Sequence, residues 1–224
     1  MMRAARAVFG ENITIHGCFY HLTQASWRKL QSLGLASLYL KDEEIQHFCG
    51  MVDGLAFLPP DKVTEGMQLL KDNIPEVLTD FVDYFDATYV SGTYTHLAAQ
   101  NDQQIFRRMP PTFGIDIWNV HQLTLNGGAR TNNLCESWNR KHLENVGHTN
   151  PSIWKAIDGI KRDEAASATL IELFRRGQPV PARRITKVTV NHQQRLVNII
   201  SKYNDRTNTL EETITALGYN IRMK

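Results

Sequence analysis

Apolar residues recur along most of the chain at intervals of three and four, the signature of helices buried on one face. Residues 2–9 predict a short helix with Ala4, Ala5, Val8 and Phe9 on its apolar side. Gly10-Glu11-Asn12 is a turn signal, and the β-branched Ile13-Thr14-Ile15 predicts a short strand. A long helical pattern follows through Phe19, Leu22, Trp27, Leu30, Leu33 and Leu35. Between residues 41 and 125 the signals are helical. Asp42 is placed to N-cap a helix carrying Ile45, Phe48, Val52, Leu55 and Ala56, which stops before Pro59-Pro60. Asp61 is placed to cap the next, with Val63, Met67 and Leu70 on one face, and Pro75 opens a third through Phe81, Val82 and Phe85. Residues 91–112 read as loop. Past the Asn126-Gly127-Gly128 turn, Thr131 or Asn132 caps a helix through Glu136, Trp138 and Leu143. Another starts at Pro151 with the stripe Ile153, Trp154, Ile157 and Ile160, and Pro179-Val180-Pro181 ends it. Two helical patterns close the chain, one through Leu196, Ile199, Ile200 and Tyr203, the other through Leu210, Ile214 and Leu217.

Composition adds limits. The chain has 224 residues, 42% hydrophobic and 21% charged, which suits a folded domain with a sizeable core. No apolar run approaches the roughly 20 residues that span a bilayer, and Met1-Met2-Arg3-Ala4-Ala5-Arg6 lacks the apolar core of a secretory signal. Three scattered cysteines, Cys18, Cys49 and Cys135, argue against a disulfide scaffold and for a reducing compartment. The net charge of +2 conceals an asymmetry: residues 41–120 carry five basic and thirteen acidic side chains, a net of −8, whereas residues 151–224 carry thirteen basic and seven acidic, a net of +6. Basic flanks around an acidic middle can meet a polyanion, or can be solvated helix faces.

Two motifs carry candidate chemistry. Cys18-Phe19-Tyr20-His21 places a thiol and an imidazole at ligand spacing, and Cys135, His142 and His148 are available to complete a zinc site. The same residues also read as a catalytic Cys–His pair, or as a buried cysteine beside a hydrogen-bonded core histidine. Arg130-Thr131-Asn132-Asn133-Leu134-Cys135-Glu136-Ser137-Trp138 places a carboxylate about one turn into a helix. A capping box from Asn133 to Glu136 accounts for part of that run, but not for Arg130, the paired asparagines or Trp138. Asp80, Asp83 and Asp86 read as a solvated helix edge rather than a metal site.

The stretch Ile13–Gln24, with its Gly-Cys-x-x-His-x-x-Gln pattern, resembles a segment of Mutator-like element (MULE) transposases and the domesticated proteins derived from them. Ala56-Phe57-Leu58-Pro59-Pro60-Asp61-Lys62-Val63, Phe81-Val82-Asp83-Tyr84-Phe85 to Tyr89-Val90, Trp118-Asn119-Val120 to Asn126, Arg130-Thr131-Asn132-Asn133 to Glu136, and Pro151-Ser152-Ile153-Trp154-Lys155 follow in that family's order. The likeness covers roughly residues 1–165. It implies an α/β fold, predominantly helical in this chain. An incomplete RNase H-like core would carry a large all-helical insertion and a helical C-terminal tail. On this basis residues 1–21 are core remnant, 22–128 insertion, 129–176 core helices and 177–224 basic linker and tail.

The resemblance further implies DNA transposition through three acidic residues that hold two Mg²⁺ or Mn²⁺ ions for in-line attack on a phosphodiester. The third acid maps onto Glu136, the catalytic and metal-binding candidate. Cys18, His21, Asn132 and Asn133 map near the active centre, with Cys18 and His21 in a structural or DNA-positioning role. The family's first two aspartates lie upstream of the segment aligned with Met1, and no Asp precedes Asp42. The resemblance therefore implies a chain that enters the core at a helix, holds no metal alone and is catalytically incompetent alone. It also implies exposed apolar surface at the Ile13–Ile15 strand and on the insertion. DNA is the expected partner, through Arg130, Arg140, Lys141, Arg175, Arg176, Arg183 and Arg184, with self-association or a full-length transposase as further partners. No membrane or small-molecule cofactor is expected, and the DNA substrate implies a nuclear location. The alternative is a domesticated, non-catalytic DNA- or chromatin-binding module, or a protein-interaction module that uses the stripe from Leu196 to Leu217.

Overall fold

The computed structural model describes residues 2–100, 103–179 and 186–222. They form helices α1 (Met2–Phe9), α2 (Phe19–Ser32), α3 (Ala36–Lys41), α4 (Glu43–Gly54), α5 (Val63–Asp72) and α6 (Thr79–Phe85), then strands β1 (Thr93–Gln100) and β2 (Gln103–Met109). Helices α7 (Ile115–Trp118), α8 (His121–Leu125), α9 (Asn133–Val146), α10 (Ile153–Arg175), α11 (Lys187–Asn204) and α12 (Leu210–Ile221) follow. The structure is predominantly helical, as the periodicity predicts. No described helix is long and apolar enough to cross a membrane. Two compact units result: Met1–Arg130 with Val188–Lys224, and Thr131–Lys187. The division by compactness thus groups the C-terminal helices with residues 22–128, where the sequence suggested a separate tail.

The larger unit closes a core of its own. Phe57, Phe81, Phe85, Leu30, Leu55, Met67, Leu70 and Leu78 are buried in it, together with Leu196, Ile200, Ile214 and Leu217 from α11 and α12. The tail stripe is therefore occupied by internal packing. Asp42 caps α4 as expected, its carboxylate accepting from the N–H groups of Glu44 (2.9 Å) and Ile45 (3.2 Å). Residues 55–58 make a tight turn that residues 118–124 strap down. Val120 N–H donates to the Ala56 carbonyl, the Asn119 amide donates to the Leu58 carbonyl at 2.9 Å, and Nδ1 of His121 lies 2.8 Å from the Phe57 carbonyl. Trp118 fills the far side against Phe85 and donates from its indole to the Tyr89 carbonyl.

Helix α12 crosses α4 at a point where neither backbone carries a side chain. A Cβ on Gly50 would lie 2.5 Å from the Gly218 carbonyl oxygen, and one on Gly218 would lie 2.7 Å from Met51 Cγ. Beside this crossing Asp53, fully buried, accepts from Ser26 Oγ at 2.8 Å and from Arg222 Nε at 2.7 Å. Arg222 Nη2 lies 2.5 Å from the same carboxylate oxygen, off the line of a hydrogen bond, and has no other polar partner among the described residues. The Tyr39 ring lies 5.3 Å from the guanidinium. Burial acts to lower the Arg222 pKa, but Asp53 and Tyr39 outweigh it and the net shift is upward.

Several elements differ from expectation. Ile13–Ile15 joins no sheet among the described residues; a strand needs a neighbour for its backbone groups. Residues 93–109, expected as loop, form an antiparallel hairpin that pairs Tyr94 with Arg108 and Thr95 with Arg107. Alternating Thr and aromatic residues at Thr93-Tyr94-Thr95 suit a pleated strand better than a coil. Asp61 makes no cap for α5, because Pro60–Lys62 is itself a helical turn and Lys62 holds the cap position. Asp86 is not on a solvated edge; it is buried and takes a 2.5 Å contact from Lys71 Nζ. Helix α10 ends at Arg175, where Gly177 turns left-handed (φ 70°), ahead of Pro179; residues 180–181 lie outside the described residues.

Two outcomes are expected. Arg222→Ala leaves the Asp53 carboxylate buried without its counter-ion, so urea melts should show a loss of about 3–5 kcal/mol. Cys49 is fully buried in the same cluster, and burial pushes its thiol from 9.0 up to about 12. The folded state thus disfavours the thiolate, and the associated stability is complete below pH 9, then falls as pH rises toward 12. A Cys49→Ala variant should show a shallower alkaline loss of stability across that window than the parent protein.

Candidate functional site

Glu136 lies on α9, in the smaller unit, a hairpin of α9 and α10. Asn132 is the N-cap and Asn133 the first helical residue, so the Asn133–Glu136 capping box does not form. The Glu136 carboxylate is left exposed in the first turn, where the positive end of the helix dipole favours an anion or a bound carboxylate. Cys135 beside it is exposed. Arg140 and Lys141 are exposed further along the same helix.

The two helices meet through one small polar joint. Gly159 lets α9 approach closely: a Cβ there would lie 2.6 Å from Val146 Cγ2 and 3.0 Å from His142 Cε1. His142 Nδ1 sits 3.1 Å from the Asp163 carboxylate, whose other oxygen accepts from the Asn145 amide at 3.2 Å. The Trp138 ring stacks on His142, with centroids 5.1 Å apart and planes 14° apart. This joint was not foreseen as a unit. Its sequence signal is Trp138, His142 and Val146 at i, i+4 and i+8, with Asp163 four residues past Gly159.

The remaining candidates are dispersed. Cys18 is half-buried at the N-cap of α2, and His21 is exposed one turn later, so His21 is not a core histidine. The structure does bring Cys18 and Arg130 together through the backbone, since Phe19 N–H donates to the Arg130 carbonyl at 2.9 Å. The Arg130 guanidinium lies 5.4 Å from the Phe57 ring centroid, and burial lowers its pKa. It is a packing cation rather than one presented to solvent. Arg175 closes α10, and Arg176 pairs with Glu172 at 2.9 Å on the surface. Arg183 and Arg184 lie outside the described residues. His148 contacts Lys155 Nζ at 3.4 Å. No three His, Cys, Asp or Glu side chains converge on one point among the described residues.

Large apolar side chains are exposed on particular elements. Val8 and Phe9 of α1 are 75% and 73% exposed. On the α9–α10 hairpin, Trp138, Ile153, Trp154 and Phe174 are each at least half exposed. Residues 22–128 bury a core with α11 and α12, yet Leu40, Tyr94 and Phe106 within them remain exposed. Compared with protein-family models, curated proteins and solved structures, the chain matches none.

The joint makes a direct prediction. Asp163→Ala removes the His142 and Asn145 acceptor, and amide exchange should accelerate across residues 133–175 while the larger unit keeps its protection. Unchanged protection in α9 and α10 would show that the polar joint does not hold the hairpin.

Proposed function

We propose that this chain is a transposase-derived protein of the MULE type that engages DNA and does not cleave it alone. The observation that carries this reading is the distribution of exposed apolar surface. The segments that the resemblance assigns to an RNase H-like core, α1 and the α9–α10 hairpin, leave Val8, Phe9, Trp138, Ile153, Trp154 and Phe174 uncovered and bury almost nothing of their own. The segment it assigns to the insertion buries a core with α11 and α12, although Leu40, Tyr94 and Phe106 stay exposed. Large apolar side chains left exposed together on one element suit a surface that a further structural element covers. The exposed Glu136 supplies one carboxylate, and two divalent ions need several oxygen ligands between them. Mg²⁺ or Mn²⁺ chemistry therefore awaits carboxylates from elsewhere. Arg140, Lys141 and Arg175 on the hairpin would contact phosphates.

The test is a titration of labelled duplex DNA with the purified chain in Mg²⁺ or Mn²⁺. Binding that weakens steeply with salt, without nicking or strand transfer, is expected. Replacing Arg140, Lys141 and Arg175 together by Gln should reduce the log–log salt slope by about 0.9 per lost phosphate contact. Metal-dependent cleavage that disappears in Glu136→Gln would overturn the claim of incompetence alone, and an absence of DNA binding would overturn the DNA-directed reading.

A further inference from the structure

Tyr219 near the end of α12 is 52% exposed, yet its ring is held in place. His47 of α4 stacks on one face, with centroids 3.8 Å apart and planes 22° apart. His47 is itself fixed, its Nε2 lying 2.9 Å from the Thr215 carbonyl. Beside Tyr219, between the N-terminal half of α11 and the end of α12, runs a groove of about 550 Å³ lined by Val188, Asn191, His192, Arg195, Tyr219 and Asn220. His192 Nε2 lies 3.0 Å from the Asn220 carbonyl and ties the two walls together. Asn220 donates its amide to the Ala216 carbonyl, so its side-chain oxygen is left as an acceptor. The side chains of Arg195 and Asn191 engage no described residue by hydrogen bond or ion pair.

We infer that this groove binds a nucleotide unit of single-stranded DNA. A half-exposed ring held by a stacked histidine is a platform that loses little freedom on binding, and every base offers it a π-face. An unpaired guanidinium beside such a ring meets the phosphate, and Arg195 sits on the same wall as Asn191, whose amide can both donate and accept at a base edge. The inference deepens the DNA-directed reading above and rests on it. It differs in form and place: the duplex contacts are assigned to the α9–α10 hairpin, this contact to α11 and α12.

The experiment is fluorescence anisotropy with a labelled oligothymidylate and, separately, a labelled duplex, on the full chain. Tyr219→Ala should weaken oligothymidylate binding about ten-fold or more. Tyr219→Phe, which keeps the ring, should bind as the parent protein does. Arg195→Gln should weaken binding and reduce the salt slope by about 0.7. Thermal melts identical to the parent's establish that each variant is folded, and Tyr219→Phe with Arg195→Gln carry the test if Tyr219→Ala is not. Oligothymidylate affinity unchanged in folded Tyr219→Ala, or in Arg195→Gln, overturns the groove proposal. If the α9–α10 substitutions still weaken duplex binding in that case, the broader reading stands. If neither nucleic acid binds, both fall.

Discussion

The Asp53–Arg222 ion pair is the contact on which the larger unit turns. Asp53 is fully buried on α4, and among the described residues the cation paired with it comes from the residue after α12, far away in sequence. An unpaired carboxylate at that depth would cost several kcal/mol, so the C-terminal helix cannot leave its seat without exposing α4 to that penalty. The Gly50–Gly218 crossing fixes how close the seat is, because a single methyl on either glycine meets backbone or a packed side chain. Ser26 on α2 supplies the second donor to the same carboxylate, so one buried charge joins three helices. Arg222 also brings Tyr39 of α3 into the cluster. The acidic stretch 41–120 and the C-terminal helices thereby belong to one compact unit, although their charges suggested two independent segments.

The same arrangement explains why the stripe through Leu196, Ile200, Ile214 and Leu217 is unavailable to a partner. Those side chains fill the space that α4, α5 and the turn at residues 55–58 leave open. Ile214 Cδ1, for example, reaches to within 3.1 Å of where a Cβ on Gly66 would sit, beside Leu55 and Leu58. An apolar stripe read from sequence does not say whether its complement lies in the same chain; here it does. What the docking of α11 and α12 leaves on the surface is different in kind: a pinned aromatic ring, an unpaired guanidinium and a groove.

Local rules gave the helices, and long-range pairing hid what they missed. Asp42 caps α4 because the cap lies within three residues of its donors, and such a signal is complete in sequence. Asp61 carries the same signal but follows two prolines that wind their own turn, so the cap shifts to Lys62. Asp86 reads as a surface acid and Asp53 carries no signal of its own, since nothing nearby in sequence shows that Lys71 and Arg222 will pair with them. Trp118, Asn119 and Val120 are recognisable as a motif, and their roles emerge only when they strap the turn at Ala56–Leu58. The candidate site was legible as a segment, Arg130 to Trp138, and not as an arrangement. Arg130 is drawn into the larger unit over Phe57, whereas Glu136 stands on the smaller one.

The smaller unit poses a problem of cohesion. Helices of 14 and 23 residues are marginal in isolation, since most helical stability in proteins comes from burying an apolar face. Among the described residues of this unit only Gly159 is buried; Ile153, Trp154, Ile160, Ile171 and Phe174 of α10 are more than half exposed, and Ile157 and Leu173 are half-buried. One largely shielded histidine–carboxylate contact and a close glycine approach define the joint. The helicity of residues 133–175 therefore calls for burial that this unit does not provide for itself. Glu136 rides on α9, so the Trp138–His142 stack and the His142–Asp163 contact are what tie down the helix that carries it.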